Sequence, residues 1–583
     1  MLETFGWLVL LFAGSAVQDA SRTAAPVPPQ TQAVQQAKQS GATTAAAFRI
    51  TGRVVNSMTN APVPGAYVVM TASSAPNLNR TVRAGTDGSF TFAGIPAGHY
   101  ALRARRRGYV EQLYLQHEQF TTAIVVGPNL NSEDLVFPLA PEGVISGEVT
   151  DEAGEPVQSA KMLLFREDTE IGRHAKHFKA EQGADEEGRY RFGSLPRGNY
   201  YLAVSAQPWY AEYARSSGFS LRDTGTAQES GRPNSNLDLV YPITYFPNAT
   251  DESGVASIHV EPGGSARADL RLAPVPALHI RLEVDEADRR TYTQAMVSQT
   301  ILGAYHDRGP VSSRQIMPEG ASEDGEQGDG DQPSGPRFME LDGLRPGPSV
   351  VEVMTGTPGV AWQSTRVTKS APVDPTDGET LDVRGIAPTG VSGAVKLEAN
   401  VSAPPGVNVF LRGALNGTVY RASADPAGNF RFTDEIEPGV YAVSSGGPGG
   451  LRLRSVTASG AKVLGNKIEI INGSEARLIL TLARGVNARV KGIVERGGQP
   501  APAMMVVLVP EDLRESTEYR RDQSDSDGSF SMNEVSPGKY AVVAVRDWDL
   551  EWVKPEVIRE YLAGGTPIEV VAGEDQDIKV TVR

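Results

Sequence analysis

Among side chains able to do chemistry, this sequence offers many hydroxyls and carboxylates and no thiol. Cysteine is absent from its 583 residues, which excludes disulfides, thiolate metal sites, a cysteine nucleophile and lipidation at a cysteine. His174 and His177 are the close histidine pair, and three residues apart they share a face only on a helix. Their surroundings read as loop and supply no Glu of an H-E-x-x-H frame, so no metal site is expected. Serine is frequent, yet no G-x-S-x-G elbow stands between a strand and a helix. The acidic run 322–335, with Asp324, Glu326, Asp329 and Asp331, lacks the terminal bidentate Glu of an EF-hand and reads as disordered loop. No catalytic residue, metal or cofactor is expected. Arg103, Arg105, Arg106 and Arg107 read as a solvated strand end, with an anionic glycan contact as the alternative.

Flat rings are the remaining candidates. Trp209, Trp362, Trp548 and Trp552 each follow a recurrent Gly-x-Tyr, or the place equivalent to it, by 8 to 13 residues. Tyr109 and Tyr114 occupy that stretch in the first repeat, and Tyr210 and Tyr213 join Trp209 in the second. One reading has a ring plugging the open end of each folded unit. The other is a repeated ligand-binding platform, because flat rings stack on sugar faces and anchor protein partners. The platform reading expects Trp209 with Tyr210, and Trp548 with Trp552, to be at least partly exposed.

These rings hang on a repeat. TDGSFTFAGIPAGHY (86–100), EEGRYRFGSLPRGNY (186–200), PAGNFRFTDEIEPGVY (426–441) and SDGSFSMNEVSPGKY (526–540) share one frame. Asp-Gly supplies the positive φ of a tight hairpin turn. Alternation follows, with Phe90 and Phe92 inward and Ser89 and Thr91 outward. A Pro-x-Gly turn leads to a Tyr able to bury its ring and return its hydroxyl to backbone at a sandwich corner. Each unit opens alike, as in ITGRVV (50–55), ISGEVT (145–150), GVSGAV (390–395) and VKGIVE (490–495), and ends on an alternating strand. About seven short strands per unit is a sandwich count. In the third unit, PRFMELDGLRPGPSVVEV (336–353), Ser349 stands where Tyr is expected, so that unit is degenerate.

The frame G-x-V, P-V-x-G-A, D-G-x-F, L-P-x-G-x-Y resembles the carboxypeptidase regulatory-like domain, a transthyretin-like β-sandwich also classed as a carbohydrate-binding-like fold. ITYFPNATD (243–251) is similar to a stretch of large secreted bacterial proteins carrying that domain. The resemblance implies an accessory domain beside carboxypeptidases or transporters and no peptidase activity of its own.

The fold class expected is therefore all-β: tandem transthyretin-like or Ig-like sandwiches behind a signal peptide and a disordered tether. The signal is 1–16, where FGWLVLLFA (5–13) is too short to span a bilayer comfortably, and the Ala/Gln/Pro linker is 17–47. The units are assigned as 48–141, 142–274, 275–384 (with the acidic insertion), 385–484 and 485–583. A net charge of −15 argues against nucleic acid, which demands a concentrated basic face. No membrane span is expected after signal cleavage. The expected function is non-catalytic: an extracytoplasmic structural or interaction protein whose partner is a protein or a cell-envelope glycan. Carbohydrate binding through the aromatic loops is the alternative, and an accessory array of a secreted hydrolase or transport system the third.

Overall fold

A computed structural model describes residues 48–582, less 131, 170–171, 212–235, 285–291, 310, 317–336, 357–365, 385–389, 398–405, 414–418, 433–435, 437–438, 448–450, 465–466, 471–474, 485–487, 515–517 and 572. The signal, the tether and the acidic insertion 322–335 lie outside the described residues.

In unit one the opening strand Phe48–Asn56 pairs antiparallel with Ser89–Ile95 and parallel with the closing strand Leu135–Leu139. The facing sheet runs Ala75–Arg83, Tyr67–Ala72, Gly98–Arg105, with Gln112–Leu113 and Ile124–Val126 along its edge. Phe90, Phe92, Tyr100, Leu102 and Phe137 fill the space between the sheets. The inward and outward alternation of Ser89–Ile95 is the expected one.

The plan repeats. Gly143–Thr150, Leu278–Val284, Val391–Leu397 and Ala488–Arg496 each take the hairpin strand on one side, antiparallel, and the closing strand on the other, parallel. Each unit encloses its own apolar cluster. The fold is all-β, tandem sandwiches, and Pro555–Leu562 is the one α-helix among the described residues. That helix is too short to cross a membrane, and no helix among the described residues is long and apolar enough to do so.

Two sequence signals have clear packing causes. The glycine of each opening strand pairs with the hairpin aromatic: Gly52 with Phe90, Gly147 with Tyr190, Gly393 with Phe430, Gly492 with Phe530. A Cβ at any of these would collide with a closing-strand carbonyl, so the position accepts hydrogen alone. The corner tyrosines behave as expected. Tyr100, Tyr200 and Tyr540 donate to the carbonyls of Pro96, Pro196 and Ser536 at 2.9, 2.7 and 2.9 Å. Unit three departs at both places. Leu282 pairs with Met339 where the others join Gly to an aromatic, and the Ser349 hydroxyl turns back to the Gly347 carbonyl.

Candidate functional site

The predicted rings do not form one platform. Trp209 is 75% exposed and meets Tyr210 edge-on at 5.6 Å. The hydroxyls of Tyr210 and Tyr241 both donate to the Glu152 carboxylate, and burial and that carboxylate push the Tyr210 phenol up to about 12. Tyr109 is half-buried, and its hydroxyl accepts from Asn56 at 3.4 Å. Tyr114 is buried edge-on against Phe137, and burial raises its phenol. Tyr213 and Trp362 lie outside the described residues.

In unit five the expectation of at least partly exposed rings holds for Trp548 and needs correction for Trp552. Trp552 is 8% exposed, packed among Met505, Val507, Val543 and Ile558 and covered by Gly172 of unit two. Trp548 is half-buried and stacks on His117 of unit one, ring centres 4.3 Å apart and planes 2° apart. The cause is close packing between units that are distant in sequence. The open end of this sandwich is closed by other units.

A seam therefore joins units one, two and five. Arg521, side chain 2% exposed, forms an ion pair with Glu118 and lies over the rings of Phe120, Trp548 and Trp552 at 4.5, 5.6 and 5.4 Å. Gln523 donates to the Leu115 carbonyl and the Thr122 hydroxyl at 2.7 and 2.8 Å. The Ala123 N–H donates to Asp525 Oδ1 at 2.8 Å, and the Val125 N–H to the Ser526 hydroxyl at 2.8 Å. The Ser526 N–H returns to the Ala123 carbonyl at 3.0 Å. Unit two adds Thr169, whose hydroxyl lies 3.0 Å from both Glu118 and the Trp548 carbonyl, and the His174 N–H, which donates to Glu551.

Burial sets the electrostatics. It pushes Asp525 up to about 6, against the Ala123 N–H and His99, whose Nδ1 is 3.1 Å away. It also holds His117 below the ordinary histidine value, with the Gln523 side chain opposing. Beside the seam a cleft of about 860 Å³ is lined by residues of the same three units, among them Arg166, Arg197, His259, Arg546 and Asp547. Among the described residues no group of three His, Asp or Glu could hold a metal ion.

A second polar lock joins units two and three. Asp307, fully buried, takes Lys161 at 3.0 Å, the Ser205 hydroxyl at 2.6 Å and Arg345 at 2.7 Å. Burial opposes its charge, but Arg345, Ser205 and Lys161 together hold the carboxyl below its usual range. Arg345 occupies the turn position held by Pro96 and Pro196 in units one and two. The arginines at 103–107 stay on the surface, with Arg103 3.3 Å from Glu111 and Arg105 over the Tyr67 ring.

The charged and hydrogen-bonding residues of both locks are ones the sequence did not single out, although it did mark Trp548 and Trp552. Their partners lie far apart along the chain, which leaves no periodic trace. The one readable sign is Arg345, an arginine at the turn position where units one and two have Pro96 and Pro196.

A family model matches residues 49–129 and again 144–228, and in these two segments the chain carries carboxypeptidase regulatory-like domains. The two matched segments lie within the first two sandwiches and include their Gly–aromatic pairs and corner tyrosines. No curated protein matches the sequence. Similar solved structures include the minor pilin GBS52 of Streptococcus agalactiae, 12% identical over 42% of this chain and 99% of that one, with a TM-score of 0.20. The shaft pilin SpaA of Lactobacillus rhamnosus GG is 10% identical over 39% of this chain and 97% of that one, TM-score 0.19. The Bacillus anthracis TIE protein is 10% identical over 94% of this chain and 76% of that one, TM-score 0.14. At those scores none of them says anything of function.

Proposed function

We propose that this chain is a non-catalytic, extracytoplasmic scaffold, in which five regulatory-like sandwiches with the boundaries given above are locked together to present a fixed surface to a partner. The observation that supports it best is the buried Arg521–Glu118 pair with its surrounding hydrogen bonds. Independent beads on flexible joins have no use for a desolvated ion pair between units one and five, since such a pair is costly unless its geometry is held. The Asp307 lock between units two and three supports the same reading. The repeat motif residues are spent on strand crossing and corners, which is consistent with a structural role. Amide hydrogen exchange tests the scaffold. The N–H groups of Ala123 and Val125 should be protected in the full chain, and exchange at loop rates would refute a locked scaffold.

A second reading, glycan binding, is favoured by one feature, the 75% exposure of Trp209 beside Tyr210. Trp209→Ala with Tyr210→Ala should then abolish retention on cell-envelope polysaccharide without lowering the melting temperature. Unchanged retention would leave the partner a protein.

A further inference from the structure

Each sandwich has to deal with the same exposed sheet edge, the strand that follows the corner tyrosine, and the units do so differently. Unpaired edges invite pairing with other chains. In unit four the edge strand Lys467–Ile470 is covered by the unit's own strand Ala461–Leu464. Unit two's edge strand, Ile258–Val260, has both ring nitrogens of His259 engaged by Asn199 and Glu261. Unit five places Pro567 on its edge strand Thr566–Val570, directly before Ile568, and Pro has no N–H to offer. The position equivalent to Pro567 in unit one is Ala123, directly before Ile124, since Ile124 and Ile568 pair with the corner tyrosines Tyr100 and Tyr540. Unit one thus has an open edge, and its Ala123 and Val125 donors are taken by the hairpin of unit five.

That hairpin differs from its counterparts. In units two and four the frame carboxylates Asp185 and Asp425 close on their own turns, accepting the N–H groups of Arg189 and Asn429 at 2.7 and 2.8 Å. In unit five the equivalent Asp525 is turned outward to Ala123, and Ser526 stands where units two and four have Glu186 and Pro426. Unit one has Gly85 and Thr86 at these two places. Edge and hairpin are complementary in one direction only.

We propose that this contact also forms between chains, so that the hairpin of unit five in one copy docks on the edge of unit one in another, and the protein assembles head to tail with itself. The unit-one and unit-five partners of the seam stand 401 to 426 positions apart, and the chain joins them only through the intervening units. A second copy presents the same groups in the same geometry. Because the two surfaces differ, the contact is heterologous and propagates into rings or open chains, where a self-complementary patch would stop at two. This deepens the scaffold reading by naming a second copy as the partner.

A charge exchange in the full-length protein tests it. E118R and R521E each place like charges in the seam and should each run at the mass of one chain in light scattering. In an equal mixture, the arginine introduced in the first variant meets the glutamate introduced in the second. The native Glu118 of the second variant meets the native Arg521 of the first, so the mass should at least double. A mixture that stays at one-chain mass overturns the proposal, as does equal assembly by either variant alone. If circular dichroism shows a charge variant unfolded, Ala123→Pro replaces it. Wild-type protein concentrated in sub-denaturing urea and diluted back should contain species of two or more chains, and A123P none. Equal assembly in both, or none in the wild type, overturns it. Amide protection in the seam can persist while assembly fails, so the scaffold and the assembly are separable.

Discussion

Arg521→Met is the sharpest perturbation of the scaffold. The methionine keeps most of the apolar stem and removes the guanidinium, leaving Glu118, only 15% exposed, without its cation. Deleting one partner of a buried pair costs about 3–5 kcal/mol. Glu118 retains the Thr169 hydroxyl at 3.0 Å and some water, which places the cost near the lower end of that range. Loss of the three ring contacts adds about 1 kcal/mol, offset in part by the sulfur. A seam weakened by about 3 kcal/mol opens roughly 100-fold more often. Native-state hydrogen exchange reads this at the amides of Ala123 and Val125, which donate across the seam, with the strand Tyr67–Ala72 as internal reference. Seam amides should accelerate roughly 100-fold while the reference strand holds. The double variant E118Q with R521M should recover at least half of the protection, because it leaves no orphaned charge. Seam amides within a factor of about three of wild type would refute the argument that the pair holds the units together. Equal acceleration in the reference strand would mean that unit one unfolds, and the seam reading would fail.

Gly492→Ala should lower the melting of unit five by roughly 10 °C or more, since overpacking costs about 1–3 kcal/mol and the ladder to Ile578 must also part. Gly183→Ala, where an added methyl meets nothing, should leave calorimetric transitions unmoved. Asp307→Asn leaves Arg345, 5% exposed, and Lys161 without their anion and should cost about 3 kcal/mol in urea titration. Asp525 has a docked pKa of about 6, above the ordinary carboxylate value, and is faced by His99 and Asp522. Docking therefore takes up a proton, so its contribution is fully present at acid pH and is lost as pH rises through about 6. Corrected for intrinsic rates, Val125 protection should fall between about pH 4 and 6, and Asp525→Asn should flatten that profile.

The sandwich was legible because its signature residues answer to contacts within about 100 residues of chain. Gly492 and Phe530 are readable as a pair since a strand crossing has room for one ring and no Cβ. The corner hydroxyl of Tyr200 is readable because its acceptor is four residues away. The seam obeys no such period. Asp185, Asp425 and Asp525 are the same letter at the same place in the frame, yet two serve their own turn and the third serves another unit. Trp552 misled for a related reason. Spacing placed it at a sandwich end, and sequence does not reveal whether that end meets solvent or a neighbour. Trp209, at the same topological place, does meet solvent. Unit three was read as degenerate on Ser349, and the structure gives the physical reason: its turn supplies Arg345 to Asp307 instead of a proline to a tyrosine corner.

In an array whose units touch only their sequence neighbours, stability is a sum of nearest-neighbour terms and unfolding can begin at either end. Here unit five touches unit four through Arg454 and Glu518 and also closes on units one and two. The far end is thereby tied to the near end, and opening one join leaves the others to bring the pieces back. The same closure sets the terms of any exchange between chains, because a second copy competes against an intramolecular partner whose effective concentration is about millimolar. Dilute chains should then be closed. Chains crowded at a surface, or with the seam weakened on both sides as in the paired charge variants, are where the intermolecular contact wins. The polar character of the seam favours this reversibility, since each donor freed on opening finds water at little net cost, whereas an apolar seam of equal area would hold shut.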